Sequence, residues 1–216
     1  MSEKKKTFRG IAKDTNFSVQ KVEEQATKDH TKTVDNFNHL YDDYKINTDK
    51  VTKIIVGTFT PKQGRERGVF YSSDKNPMCG YIDAALKSET KLQNSKAKLQ
   101  KTPQNADIIK EILQHIVDNQ IMFLDVIKRI SDRDEESAAD NDIKCFCLDK
   151  DSFEKYINRN IKFIPNSRNA EWALNKIFDE LKAYKDKENT EGNYTPQFSR
   201  RVKREELHDR WEKVLK

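Results

Sequence analysis

Three short runs of apolar, largely β-branched residues set the limits on how this chain can fold: residues 51–56 (VTKIIV), 121–130 (IMFLDVIKRI) and 161–164 (IKFI). Each is bounded by turn-forming or polar residues, the signature of a buried strand. Between them lie segments of helical period. Residues 105–119 carry Ile108, Ile109, Ile112, Leu113, Ile116 and Val117 on one stripe, as an amphipathic helix requires. A short helix is expected over 151–158, and Tyr81, Ile82, Ala85 and Leu86 begin another that runs into the polar KSETKLQNSKAKLQKTPQ. That polar stretch reads as a solvated face more readily than as a basic arm on a phosphate backbone. After Pro165, Asn166 or Ser167 can cap a helix carrying Trp172, Leu174, Ile177, Phe178, Leu181 and Tyr184. A last helix carries Leu207, Trp211, Val214 and Leu215. Strand alternating with helix predicts an α/β fold, a short, mostly parallel sheet covered by helices on both faces.

The N-terminal part reads differently. Residues 1–15 are basic and polar. Over 16–45, Val19, Val22, Ala26, Val34, Phe37, Leu40, Tyr41 and Tyr44 recur at roughly helical spacing, which predicts one or two helices on the outside of the core. Residues 1–49 are therefore expected to be a basic tail and helical extension, and residues 50–216 the α/β domain.

Hydrophobic residues make up 35% of the chain and charged residues 36%, with a net charge of +5, which describes a polar protein suited to a polyanionic partner. The three cysteines, Cys79, Cys145 and Cys147, have neither disulfide-framework nor metal-ligand spacing, so reduced thiols in a cytoplasmic protein are expected. The N-terminus MSEKKKTFRG lacks a secretory apolar core, and no apolar run approaches the length of a membrane span. His30, His39, His115 and His208 are scattered and form no zinc motif. Residues 57–68 match neither a P-loop nor a dinucleotide fingerprint. No metal and no cofactor is expected.

Ligands of open α/β sheets bind beyond the carboxyl ends of the strands, so the loop that starts at Gly57 and reaches Phe70 and Tyr71 is the first place for a site. The one acid inside an apolar run, Asp125, is the second. A lone buried carboxylate is costly, and such groups cluster at functional sites, although backbone N–H groups at a strand end can also satisfy one.

Taken in order, IIVGTFTP, FYSSDKN, IMFLDVI, SAADNDI, IKFIPNSRNA and YTPQFS ahead of a Trp-containing last helix resemble the uracil-DNA glycosylase superfamily, most of all its branch of mismatch-specific and uncharacterised bacterial members. The resemblance covers about residues 50–216. It implies a four-stranded, mostly parallel sheet sandwiched between helices, and excision of uracil or another altered base flipped out of DNA. It places the stacking aromatic at Phe70, with Tyr71 as the alternative, and sets Asn76 beside it. The water-positioning loop of the family carries Asp or Asn just after the glycine, where this chain has Thr58, Phe59 and Thr60 before Pro61. Asp125 falls where the family reads the base edge, and can also serve as the base or stabilise a cation-like sugar. Asn193 in NYTP falls where the leaving base is contacted, although it also reads as a turn residue beside Gly192. Lys62, Arg65, Asn166, Ser167, Arg168, Ser199, Arg200 and Arg201 are implied as DNA contacts. Two other functions fit the same loops: a DNA- or protein-binding member of the same fold that has lost catalysis, with the N-terminal helical region as the surface for a protein partner, and a nucleoside or nucleotide hydrolase.

Overall fold

A computed structural model describes residues 33–73, 76, 78–86, 91–103, 105–131, 143, 146–181 and 204–215. The chain is α/β, and its described residues form two sheets. The first is the expected parallel one, built from β2 (Lys53–Gly57), β3 (Ile121–Asp125) and β6 (Lys162–Pro165) in the order β3-β2-β6. β3 is buried along its whole length, and β2 and β6 are buried beyond their first residue. A strand buried on both faces has no polar side to alternate with, so it reads as a continuous apolar run. Three parallel strands are present among the described residues, one fewer than the four-stranded sheet that the resemblance implies.

The second sheet was not anticipated. It is antiparallel, ordered β1-β4-β5, from β1 (Thr33–Asp35), β4 (Ile127–Ser131) and β5 (Phe146–Leu148). The run 121–130 is thus not one strand. It leaves the parallel sheet at Val126, where Val126 N–H still donates to the Gly57 carbonyl (3.0 Å), and enters the second sheet as β4.

The N-terminal expectation is corrected on its described part. Residues 33–35 are a strand paired with β4 through Thr33↔Ser131, Val34↔Ile130 and Asp35↔Arg129. Only Leu40–Asp43 is helical, as the single turn α1. This segment is wired into the core rather than laid over it, because the buried Tyr41 hydroxyl accepts from Phe123 N–H at 3.0 Å. Residues 33–41 are thus hydrogen-bonded to both β3 and β4.

The loop after β2 contains the short helix α2 (Lys62–Arg67), which stops at Gly68 in the left-handed conformation (φ 70°), a common helix end. Next come α3 (Met78–Ala85), α4 (Lys91–Lys101) and α5 (Ala106–Asp118), the last capped by the Asn105 side chain. The polar stretch expected to be solvated is largely α4, and it packs: Leu92, Ser95, Lys96 and Leu99 form its buried stripe. α5 covers β3, while α6 (Lys150–Ile157) packs on α7 (Arg168–Glu180), which in turn covers β6 and β2. α8 (Arg204–Leu215) lies on α3 and buries Trp211 and Leu215. Among the described residues no helix is long and apolar enough to cross a membrane.

Candidate active site

Parallel register sets the centre of the site. Gly57 is opposite Asp125 across β2 and β3, and Val56 is opposite Pro165 across β2 and β6. One step further, Asn166 N–H donates to the Val56 carbonyl at 2.8 Å, so Asn166 flanks Gly57 on its other side. Register partners project to the same face. The row Asp125–Gly57–Asn166 therefore sets two polar side chains on either side of a residue that has none. A Cβ on Gly57 would lie 2.1 Å from Asp125 Oδ1 and 3.0 Å from the Tyr71 hydroxyl. The missing side chain is the floor of a cleft.

That cleft is also lined by Thr58, Phe59, Thr60, Pro61, Gly64, Tyr71, Ser72, Ser73 and Asn76, and encloses about 370 Å³ with its open mouth included. The space inside it that can hold the centre of a water molecule is about 70 Å³, well below the ~300–1,000 Å³ usual for small-ligand sites. The strand order also favours the location. The chain leaves the central β2 for β3 on one side, then crosses to β6 on the other, which makes the carboxyl end of β2 a topological switch point.

Asp125 is held from three directions. Its Oδ2 accepts from Thr60 Oγ1 (2.7 Å) and from Asn36 Nδ2 (2.9 Å). Its backbone is clamped by Asn38, whose Oδ1 accepts from Asp125 N–H (3.0 Å) and whose Nδ2 donates to the Asp125 carbonyl (2.7 Å). Asn38 Nδ2 also donates to Asp149 Oδ2 at 2.5 Å, and Asp149 caps α6 through Ser152 N–H. Asp125 is 3% exposed, and its carboxyl group accepts two side-chain hydrogen bonds, as a buried polar group requires.

Tyr71 forms the opposite wall. Its backbone sits in the left-handed region (φ 57°), uncommon for a bulky residue and found where surrounding structure enforces it. Its ring meets Phe123 edge-on at 5.0 Å, and its hydroxyl accepts from Asn166 Nδ2 at 3.0 Å. Burial, and after it the negative charge of Asp125, push the hydroxyl far above the usual phenol range, opposed by the Asn166 bond. Tyr71 thus keeps its proton and remains a donor.

Thr58, Thr60, Tyr71, Asn76, Asp125 and Asn166, all candidates from the sequence, line this one cleft. Phe70 does not: it is 2% exposed and packs edge-on against Phe37 at 4.9 Å in the core. Of the two aromatic alternatives, Tyr71 alone faces the cleft. Asn76 accepts from Met78 N–H at 2.9 Å and so starts α3, while its carbonyl accepts from the buried Lys96 ammonium. Lys62 is exposed on α2. Arg65 donates to the Thr60 carbonyl (2.6 Å) and lies over the Phe59 ring at 4.9 Å, behind the loop. Ser167 caps α7 by accepting from Ala170 N–H, and the exposed Arg168 begins that helix. Asn193, Ser199, Arg200 and Arg201 lie outside the described residues.

The sequence reading missed Asn36, Asn38 and Arg67. The last is 7% exposed and donates to the Ser72 carbonyl at 2.7 Å, which braces the cleft wall. Nothing in the local pattern marks the two asparagines, because the partners of their amide groups across the fold lie 87–111 positions away. No family model matches this chain, and no curated protein or solved structure matches it either.

Proposed function

We propose that the protein is a DNA glycosylase that hydrolyses the N-glycosidic bond of an altered base flipped into the cleft at the ends of β2, β3 and β6. The observation that carries this reading is the pairing, across the bare floor of Gly57, of a fixed carboxylate with an amide–phenol pair. The chemistry asks for those groups. As the base departs, positive charge builds on the sugar, and a preorganised anion stabilises it without reorganising. Asp125 is such an anion. Thr60 and Asn36 hold one of its oxygens, and the other, Oδ1, lies over the Gly57 backbone at the cleft floor. Thr58 supplies a hydroxyl to position water, a role short of general base. Asn166 and Tyr71 offer an edge for recognising a base, and the Tyr71 ring is an apolar wall. Phosphate contacts fit Lys62, which follows the cleft-lining Pro61, and Arg168, two residues after the cleft-lining Asn166, both of them exposed.

A test is a panel of labelled duplexes carrying uracil, mismatched thymine, hypoxanthine or alkylated bases, with abasic sites revealed by alkaline strand cleavage. The wild-type protein is expected to cleave at one class of lesion and Asp125→Asn to lose at least a hundredfold in rate. DNA bound with no base released from any duplex sinks the enzyme reading and leaves a binding protein.

A further inference from the structure

β3 has β2 on one side, and on the other no strand of the parallel sheet stands among the described residues. Its buried backbone groups on that edge need other partners. The N-terminal segment supplies them from side chains. The Tyr41 hydroxyl accepts from Phe123 N–H at 3.0 Å. Two residues further along the strand, the Asn38 amide takes both backbone groups of Asp125. Its Oδ1 accepts from Asp125 N–H (3.0 Å) and its Nδ2 donates to the Asp125 carbonyl (2.7 Å). That is the two-way exchange a residue of a neighbouring strand would make. The same Nδ2 donates to Asp149 Oδ2 (2.5 Å), at the cap of α6. An N–H facing one end of the amide, and a carbonyl with a carboxyl group facing the other, fix which end is oxygen and which is nitrogen.

We infer that Asn38 is a positioning residue of the cleft: it fixes the main chain that carries Asp125 and so sets where the carboxyl group stands over Gly57. The inference rests on the glycosylase reading for its catalytic consequence, not for its geometry. Asn38 is not among the residues that line the cleft, so it acts on the cleft through β3. On the β2 side the chain is tied one residue further on, where Val126 N–H donates to the Gly57 carbonyl (3.0 Å). On the opposite side the tie is Asn38. A main chain held from both sides leaves the carboxyl group only its own torsions to move by, and the bonds of Oδ2 to Thr60 and Asn36 limit those. A Cβ on Gly57, 2.1 Å from Oδ1, would therefore meet a group that does not yield. The competing role for Asn38 is a plain link between β3 and α6, which would contribute stability and leave the contact at Gly57 as it is.

The test separates the two roles by exchanging polarity in the full-length protein. Asn38→Asp combined with Asp149→Asn keeps the size of both side chains. An amide at position 149 donates to a carboxyl group at position 38, so the link to α6 is restored, and that carboxyl group still accepts from Asp125 N–H. The Asp125 carbonyl loses its Asn38 donor and faces an oxygen instead. Gly57→Ala is then introduced into the wild-type and the exchanged backgrounds, and urea midpoints are measured. The fall in midpoint that it causes is expected to be at least a third smaller in the exchanged background, where the end of β3 can give way to the new methyl. Equal falls overturn the inference. Should the exchanged protein not fold, Asn38→Ala carries the same comparison. Should neither fold, hydrogen exchange in the wild type decides: exchange of Asp125 N–H only through global unfolding supports the hold, and exchange through faster local opening overturns it. Base release at saturating DNA, from the duplex of the lesion panel that the wild type binds most tightly, is expected to fall at least tenfold on the exchange, and an unchanged rate also overturns the inference. A smaller fall in midpoint with no base released by the wild type leaves the inference standing and removes the glycosylase reading. Base release by the wild type with equal falls in midpoint does the opposite.

Discussion

Substituting alanine at Gly57 drives a methyl group into the Asp125 carboxylate. The new Cβ would lie 2.1 Å from Oδ1, and contacts under 3.0 Å are essentially never tolerated, so the carboxyl group must retreat by about 0.9 Å. It has no slack to do so. Its Oδ2 bonds of 2.7 Å to Thr60 and 2.9 Å to Asn36 would both stretch past hydrogen-bonding range. Hydrogen bonds to a charged group contribute about 1.5–3 kcal/mol each. Alanine recovers roughly 0.5–1 kcal/mol over glycine within a strand. The net cost expected is about 3 kcal/mol. With a urea dependence of about 2 kcal/mol/M for a domain of this size, the midpoint falls by about 1.5 M at unchanged slope. The origin of the cost is isolated by repeating Gly57→Ala on Asp125→Ala, where the carboxylate that the new methyl meets at 2.1 Å is gone and the Tyr71 hydroxyl stays at 3.0 Å. There the substitution is expected to cost less than about 1 kcal/mol, a coupling that a double-mutant cycle reads directly. An equal cost in both backgrounds would refute the floor-and-carboxylate geometry.

Other consequences follow from the same residues. Asn36→Ala removes one donor from Asp125 and is expected to lower stability by about 1–2 kcal/mol and to slow single-turnover base release at least tenfold; urea denaturation and product quantification check the two separately. Burial first, and nearby charge after it, raise Tyr71, and burial raises Tyr41. Groups raised on folding contribute stability that is whole below the unfolded tyrosine value of about 10 and is lost as pH rises towards the folded values. The urea midpoint is therefore expected to fall steeply above about pH 10, and less steeply in Tyr71→Phe. Burial pushes the Cys79 thiol up to about 12. In a variant with Cys145 and Cys147 changed to serine, a thiol-alkylating reagent at pH 8 is expected to leave the folded protein unlabelled and to label it at the rate of unfolding, whereas prompt labelling would place Cys79 near solvent.

The parts of this fold that show in the sequence are those where burial is complete or strictly periodic. β2, β3 and β6 show because a strand covered on both faces is apolar throughout, and α5 shows because its stripe is unbroken. The antiparallel sheet does not show. β1 is three residues long with only Val34 partly buried, and Val34, Phe37, Leu40, Tyr41 and Tyr44 happen to repeat like a helix. The bend at Val126 is hidden because the residues on both sides of it are buried. α4 looks solvated because lysine counts as polar, yet the stem of Lys96 fills a core position and its ammonium reaches the Asn76 carbonyl. In the cleft, Gly57 and Asp125 stood out as breaks in apolar runs, and Asn166 as the residue just past a strand. Asn36 and Asn38 did not stand out, since their role depends on β1 pairing with β4, which local spacing does not encode.

The central claim is that Asp125 stabilises the departure of a base from DNA bound at this cleft. Single-turnover base release from the duplex of the lesion panel that the wild type binds most tightly, compared between wild type and Asp125→Asn at matched DNA occupancy, addresses it most directly. The account predicts measurable release by the wild type and a loss of at least a hundredfold in the variant. Equal rates in the two proteins, or no release by either from saturated complexes, would contradict it.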